Sequence, residues 1–269
     1  RRRQRQMCIR DSVKSVNTYS FAAAEVIIPH VLGDFRGFIY DQTSWQSICD
    51  DGGLFVGFGG LPLKNAQINQ GGIGGHVQKG FVAKAHRAGV EFVNISPLAA
   101  DMPDSVKSDW LAIRPNTDTA LMLGLCYTLL DEGLQDSDFL DRYCTGFDVF
   151  ATYLDGTEDG CRKSADWAAA ICGLPADDIR NLARRMAGTR TMISLSWSLT
   201  RQAHGEQPMW AGIVLAAMLG QIGLPGGGIG IGYSAVNRVG YDLNRVSFAS
   251  VPQGINAVKE FIPVARIAD

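Results

Sequence analysis

The sequence predicts an α/β protein built on an open, mainly parallel, dinucleotide-binding-like sheet with helices on both faces. Three observations carry that expectation. Short apolar, β-rich runs at 54–58, 90–95 and 191–197 each end in a polar or glycine-containing loop. Helix-prone segments alternate with them, as they do along a parallel sheet. The 31 glycines exceed the usual share of roughly 7%, and many fall at strand ends, where backbone can approach a large ligand. The 269 residues, 46% apolar and 19% charged with a net charge of -2, suffice for one large or two ordinary domains with a substantial core. That balance points to neither a nucleic-acid partner nor membrane insertion.

Taken in order, residues 1–12 are Arg-rich and carry no apolar stretch, so they are not a secretory signal. They are expected to be a non-native remnant outside the fold. Residues 17–33, N-T-Y-S-F-A-A-A-E-V-I-I-P-H-V-L-G, pass from a polar loop into a helix closing at Pro29 or Gly33, with Ser20 placed to cap it. A buried strand at 54–58 ends in G-F-G-G-L-P-L-K-N. Lys64 and Asn65, just past its end, suit phosphate contact, although a loop lysine is also the ordinary solvated kind. Residues 71–76, G-G-I-G-G-H, read as a loop and lack the G-x-G-x-x-G order of a nicotinamide fingerprint.

A helix over 77–87, stopped by Gly89, leads into the strand 90–95, a right-handed βαβ unit. Asn94, Ser96 and Pro97 then stand at a carboxyl strand edge, where a base and ribose are read, though Asn and Ser there also make side-chain turns. The strand 110–114 runs into R-P-N-T-D-T, and Thr117 or Asp118 is expected to cap a helix to 131 that Gly133 closes. From 137 to 188 the signals are helical, with breaks at Gly146, Gly156 and Gly160. The helix 175–187 has Asp177 and Asp178 in its first turn and Arg184 and Arg185 in its last, the order the helix dipole favours. Arg162 and Lys163 read as solvated.

The strand 191–197 ends in a loop carrying Arg201, His204, Glu206 and Gln207. A helix over 208–221 follows, apolar nearly all round and therefore buried. It starts at Pro208, stops at Gly223-Leu224-Pro225, and is shorter than the ~20 residues a bilayer span needs. Gly226, Gly227, Gly228, Gly230 and Gly232 read as a loop whose free N–H groups suit a pyrophosphate, the alternative being tight turns beside a core helix. The six cysteines form no C-x-x-C pair, so short-spaced zinc or iron–sulfur ligation has no support. Beyond 237 the pattern loosens.

The string W-S-L-T-R-x-x-H-G-E-Q at 197–207, followed by M-L-G-Q-I-G-L-P-G-G-G-I-G at 218–230, resembles the pterin-binding segment of molybdopterin oxidoreductases of the dimethyl sulfoxide reductase family. Within it the chain looks most like the S-oxide and N-oxide reductases, of the biotin sulfoxide and trimethylamine N-oxide type. The resemblance covers residues 13–269 and is specific at Y-S-F-A-A-A (19–24), L-P-L-K-N (61–65) and R-P-N-T-D (114–118).

This resemblance implies a bacterial enzyme holding molybdenum with bis(molybdopterin guanine dinucleotide). Such an enzyme removes an oxygen atom from an S-oxide or N-oxide, and two electrons with two protons return that atom as water. Ser20 is the implied metal ligand, a hard oxygen suited to a high-valent metal, and His204 the implied catalytic companion. Lys64, Asn65, Asn94, Ser96, Pro97, Arg114, Asn116, Asp118, Trp197, Ser198, Arg201, Gln207 and Asn237 are the implied cofactor-binding set, with Asp118 at a guanine amidine edge. Electrons would come from a donor protein or a reduced nicotinamide, in cytoplasm or periplasm.

On this reading the chain is an internal fragment of a larger multidomain enzyme, not expected to be active alone. Residues 13–50 carry the ligand serine, 51–235 form the dinucleotide-binding-like unit, and 236–269 begin the return to a substrate-facing domain. Two alternatives stand beside it. A nicotinamide-dependent dehydrogenase requires a glycine fingerprint that is not found, and a non-catalytic nucleotide-binding module requires only the fold.

Overall fold

The computed structural model describes residues 13–67, 75–233, 235, 239–241, 249–252, 255 and 258–266. Asn237, residues 1–12, residues 71–74 of the glycine-rich loop and much of 236–269 lie outside the described residues. Strand β1 (Lys14–Val16) leads to α1 (Ala22–Leu32), α2 (Phe35–Tyr40) and α3 (Trp45–Asp51). Strand β2 (Leu54–Phe58), α4 (Gln78–Arg87), β3 (Glu91–Ile95) and β4 (Ser108–Leu111) follow. Five helices come next: α5 (Asp118–Asp131), α6 (Ser137–Tyr143), α7 (Phe147–Leu154), α8 (Ala165–Cys172) and α9 (Ala176–Ala187). Strand β5 (Thr191–Leu195), α10 (Gln207–Met218), β6 (Gly228–Ile231) and β7 (Phe261–Pro263) complete the described elements.

The main sheet has the order β4-β3-β2-β5-β6 and is parallel throughout. The chain builds outward from β2 through β3 to β4, then crosses back to β5 and β6. The direction of winding therefore reverses between β2 and β5, and helices fall into two packed groups. One is α3 with α4; the other gathers α8, α9 and α10 around α5. Both faces are covered, so β2 and β5 are buried along their whole length. A separate parallel pair joins β1 to β7; no sequence signal pointed to it.

The strand at 54–58 and the helices at 118–131 and 176–187 form as the pattern predicts. Helix α10 ends three residues before the expected 221, because Gly220 takes φ +65° and Asp136 fills the space a side chain there would need. Strand β4 sits nearer the amino terminus than expected, with Trp110 half exposed on the sheet's edge. Lys163 is a clear correction. It is buried rather than solvated, its ammonium bonded to Asp159 (2.6 Å) and the Cys161 carbonyl (2.5 Å) and lying 4.2 Å over the Tyr153 ring. Its carbon stem packs while the charge finds local acceptors.

The glycine loop is corrected too. Gly228 to Ile231 form β6, paired in register with Met192 to Leu195. The N–H groups are spent: Gly226 donates to Ser47 Oγ (2.8 Å), Gly227 to the Leu224 carbonyl (3.2 Å) and Gly232 to the Leu195 carbonyl (3.2 Å). The glycines serve close packing instead. Gln42 and Tyr233 crowd the place a side chain on Gly230 would take. From there the Gln42 amide donates to Ile231 O (3.0 Å) and accepts from Ile231 N (2.8 Å), pairing an edge strand that would otherwise stand open.

Candidate functional site

In an open parallel sheet, ligands bind outside the carboxyl ends of the strands where winding reverses. Here that point lies between Phe58 of β2 and Leu195 of β5, which are register partners. The chain leaves β2 through Gly59 (φ +86°) and Gly60 (φ +67°), conformations that side chains disfavour. Space forbids a side chain as well: a Cβ on Gly59 would lie 2.5 Å from Ser196 Cβ, and one on Gly60 2.9 Å from Asn94 Oδ1. Three strand ends are thus drawn together by backbone, with Gly59 N–H donating to Ile95 O (2.8 Å) and Ser196 N–H to Phe58 O (2.9 Å).

Beyond β5 the expected strand end at 196–197 is instead a capped turn. Ser196 Oγ accepts from Ser198 N (3.3 Å) and starts a 3-10 turn over Trp197–Thr200. Trp197 is buried and its ring lies 4.2 Å from Phe21. Among the described residues its indole Nε1 has no partner, nor has Asn94 Oδ1 or Ser194 Oγ. Each buried polar atom left unpaired costs roughly 1–3 kcal/mol, so this edge carries hydrogen-bonding capacity that a polar ligand could take up.

The Phe21 contact brings the Ser20 turn onto the same edge. Arg201 Nε donates to the Ser20 carbonyl at 2.9 Å. Ser20 is not the expected helix cap: Phe21 occupies that position without a side-chain bond, while Ser20 N–H donates to Thr18 Oγ1 (3.0 Å). The Ser20 hydroxyl, half-buried, has no partner among the described residues. Phe21 and Thr200 were missed as contributors to the site, since an aromatic following a serine gives no hint of a partner 176 positions on beyond the motif itself.

The remaining expected residues stand along the same sheet edge, in two groups. Some are committed to the protein. Asn94 Nδ2 donates to the Leu98 (3.3 Å) and Ala99 (3.2 Å) carbonyls. Ser96 Oγ donates to Asp101 (2.6 Å), and Ser198 Oγ donates to Ser196 Oγ (2.9 Å). Arg114 Nη1 closes the end of α8 on Ala170 O (3.0 Å) and Ile171 O (3.1 Å). The others are exposed: Lys64, Asn65, Pro97, Asn116 (φ +64°), His204 (φ +57°) and Gln207. Lys64 borders a pocket of about 460 Å³ with Lys79, Met102 and Ser105. No cluster of three or more His, Cys, Asp or Glu side chains forms a metal site among the described residues.

Asp118 belongs to neither group. It is buried as the first residue of α5, and burial pushes its carboxyl up from 3.8 to about 6, with its own backbone N–H only partly opposing. Thr117 holds the cap position, yet its hydroxyl donates back to Arg114 O (2.7 Å) and caps nothing. No cation pairs with Asp118 among the described residues, and its own backbone N–H is the one donor that favours the charged form there.

The molybdopterin oxidoreductase family model matches residues 11–260 of the chain. Biotin sulfoxide reductase of Cereibacter sphaeroides is 45% identical over 254 residues, 94% of this chain and 34% of that protein. The dimethyl sulfoxide/trimethylamine N-oxide reductase of the same organism is 40% identical across 96% of this chain and 32% of its own length. The trimethylamine-N-oxide reductase of Haemophilus influenzae is 39% identical over 93% and 32%. The chain thus spans about a third of the length of these relatives. Among solved structures, acetylene hydratase from Pelobacter acetylenicus shares the fold at a TM-score of 0.55 with 20% identity, over 80% of this chain and 31% of that one. The chain belongs to the molybdopterin oxidoreductase family, whose cofactor is molybdenum held by molybdopterin.

Proposed function

We propose that this chain forms the dinucleotide-binding part of a molybdenum-dependent reductase that removes an oxygen atom from S-oxides or N-oxides, with bis(molybdopterin guanine dinucleotide) as its cofactor. The observation that carries the proposal is the Ser20 turn, held to the switch-point edge of the sheet with its hydroxyl unclaimed. The relatives named for biotin sulfoxide, dimethyl sulfoxide and trimethylamine N-oxide reduction support the same substrate class.

The residues present suit such a group. Among the described residues, unpaired buried polar atoms lie near the ends of β3 and β5, and Gly59 and Gly60 let the ends of β2, β3 and β5 close together beneath the exposed loops. When bound, the metal–pterin group supplies a two-electron centre that accepts the oxygen atom. Ser20 would offer it one hard oxygen. Lys64, Asn65, Asn116 and Gln207, exposed along the edge, would take its polar and phosphate groups. Asp118 would accept from the amidine N–H groups of a guanine, which recovers the cost of burying its charge. Asn94, Ser96, Pro97, Ser198 and Arg114 would act by shaping the turns that present these groups. His204, exposed in the loop before α10, would line the substrate side.

The test is molybdenum and guanine content of the full-length protein from a host that makes the cofactor, beside Ser20→Ala. About one metal and two guanine nucleotides per chain, as the cofactor reading expects, with oxide reduction lost in the variant, supports the assignment. A protein holding neither metal nor guanine would leave a nucleotide-binding module in its place.

A further inference from the structure

We propose that Arg201 is a positioning residue for Ser20, acting through the hydrogen bond from its Nε and not through its charge. The inference rests on Ser20 being the metal ligand. Helix α1 begins without a side-chain cap, at Phe21 with φ −158° and ψ 23°, and the local bond on the turn that presents Ser20 runs from the Ser20 N–H to Thr18 Oγ1 (3.0 Å), leaving the Ser20 carbonyl to a distant donor. Two further contacts reach the turn from across the chain. Phe21 lies on Trp197, and the Ser20 carbonyl accepts from Arg201 Nε at 2.9 Å. Thr200 Oγ1 stands 3.5 Å from the same carbonyl but donates its one hydrogen to Trp197 O at 2.8 Å. The guanidinium nitrogen is therefore the effective donor.

The donor is itself well anchored. Arg201 N–H bonds Ser198 O (3.0 Å) at the end of the capped turn, and the Thr200 carbonyl occupies the space a side chain on Gly205 would need. The loop is packed from both ends. Arg201 makes no ion pair among the described residues, so the contact in use is a neutral-acceptor hydrogen bond. A misplacement of about 1 Å can cost on the order of a hundredfold in rate, and a bond to the backbone of the ligand residue controls a displacement of that size.

Gln places its side-chain nitrogen the same number of bonds from Cα as Arg Nε, whereas Met fills similar space with no donor. The experiment compares Arg201→Met with Arg201→Gln in the full-length protein, beside wild type and Ser20→Ala. Three quantities are read: metal content, the Mo(V) paramagnetic spectrum, and amide hydrogen exchange over residues 18–24. Arg201 is exposed, so neither substitution opens the core. Arg201→Met should shift the spectrum toward that of Ser20→Ala and speed exchange by about tenfold, the loss of one hydrogen bond's worth of protection; Arg201→Gln should restore both. If Gln behaves as Met does, Arg201 acts by charge and the proposal is overturned, and it is equally overturned if both match wild type. A wild-type protein without metal would defeat the molybdenum reading, while the exchange comparison would still decide whether Arg201 holds the turn.

Discussion

Asp118→Asn tests how the sheet edge is built. The carboxyl is buried, faces no cation among the described residues, and is pushed up from 3.8 to about 6 by desolvation. A folded-state value above the unfolded one means that the native chain holds its proton longer. Stability from this group is full below pH 3.8, where both states are protonated, and falls as pH rises toward about 6. At about 1.4 kcal/mol per pKa unit, the gap corresponds to about 3 kcal/mol lost by neutral pH. The amino terminus of α5 favours a carboxylate by roughly 0.3–1 kcal/mol, a benefit Asn forgoes, so the net gain of Asp118→Asn at pH 7 is about 2 kcal/mol.

Urea unfolding of both proteins from pH 4 to pH 8 measures it, since every other carboxylate cancels in the difference. With a slope of roughly 2 kcal/mol per molar, midpoints should nearly coincide at pH 4 and separate by about 1 M above pH 6. A separation that does not change with pH, or a variant less stable than wild type at pH 7, would refute the burial argument.

Two of the helical glycines, Gly124 and Gly80, should respond in opposite directions. A Cβ at Gly124 would meet Ala168 Cβ at 2.6 Å, so Gly124→Ala should cost about 1–3 kcal/mol through overpacking of α5 on α8. Nothing lies within 4 Å of a Cβ at Gly80 in α4, where Gly80→Ala should gain about 0.5–1 kcal/mol, and thermal melts would separate the two. Gln42→Leu leaves the Ile231 N–H and C=O without their partner, and should destabilise by about 1–3 kcal/mol in chemical denaturation; an unchanged midpoint would mean water replaces the amide at no cost.

The local pattern was enough to locate the principal strands and most helices. An apolar run such as 54–58 buries itself wherever the fold puts it, and the acid-first, base-last helix at 176–187 is written in its own charges. It also brought the expected ligands to strand ends, because loops after strands are where polar residues interrupt apolar runs. What it could not supply was neighbourhood. The order β4-β3-β2-β5-β6 alone makes the ends of β2 and β5 adjacent, and no period in the sequence encodes order.

Nor does residue type tell an available side chain from a committed one. Ser96 and Arg114, expected at the cofactor, also bond within the chain, to Asp101 and to the end of α8. Lys163 reads as solvated and is buried. Gly228 and Gly230 read as a loop and form a strand, since with no Cβ a glycine declares only that space is short, and the tertiary structure decides whether ligand or protein takes it. Chemistry of the kind a serine or a buried aspartate can perform is thus a property of the sequence. Which of those groups stand unclaimed at one edge, held from 181 residues away by Arg201, is decided by packing, because hydrogen bonds are satisfied by whatever the fold brings near.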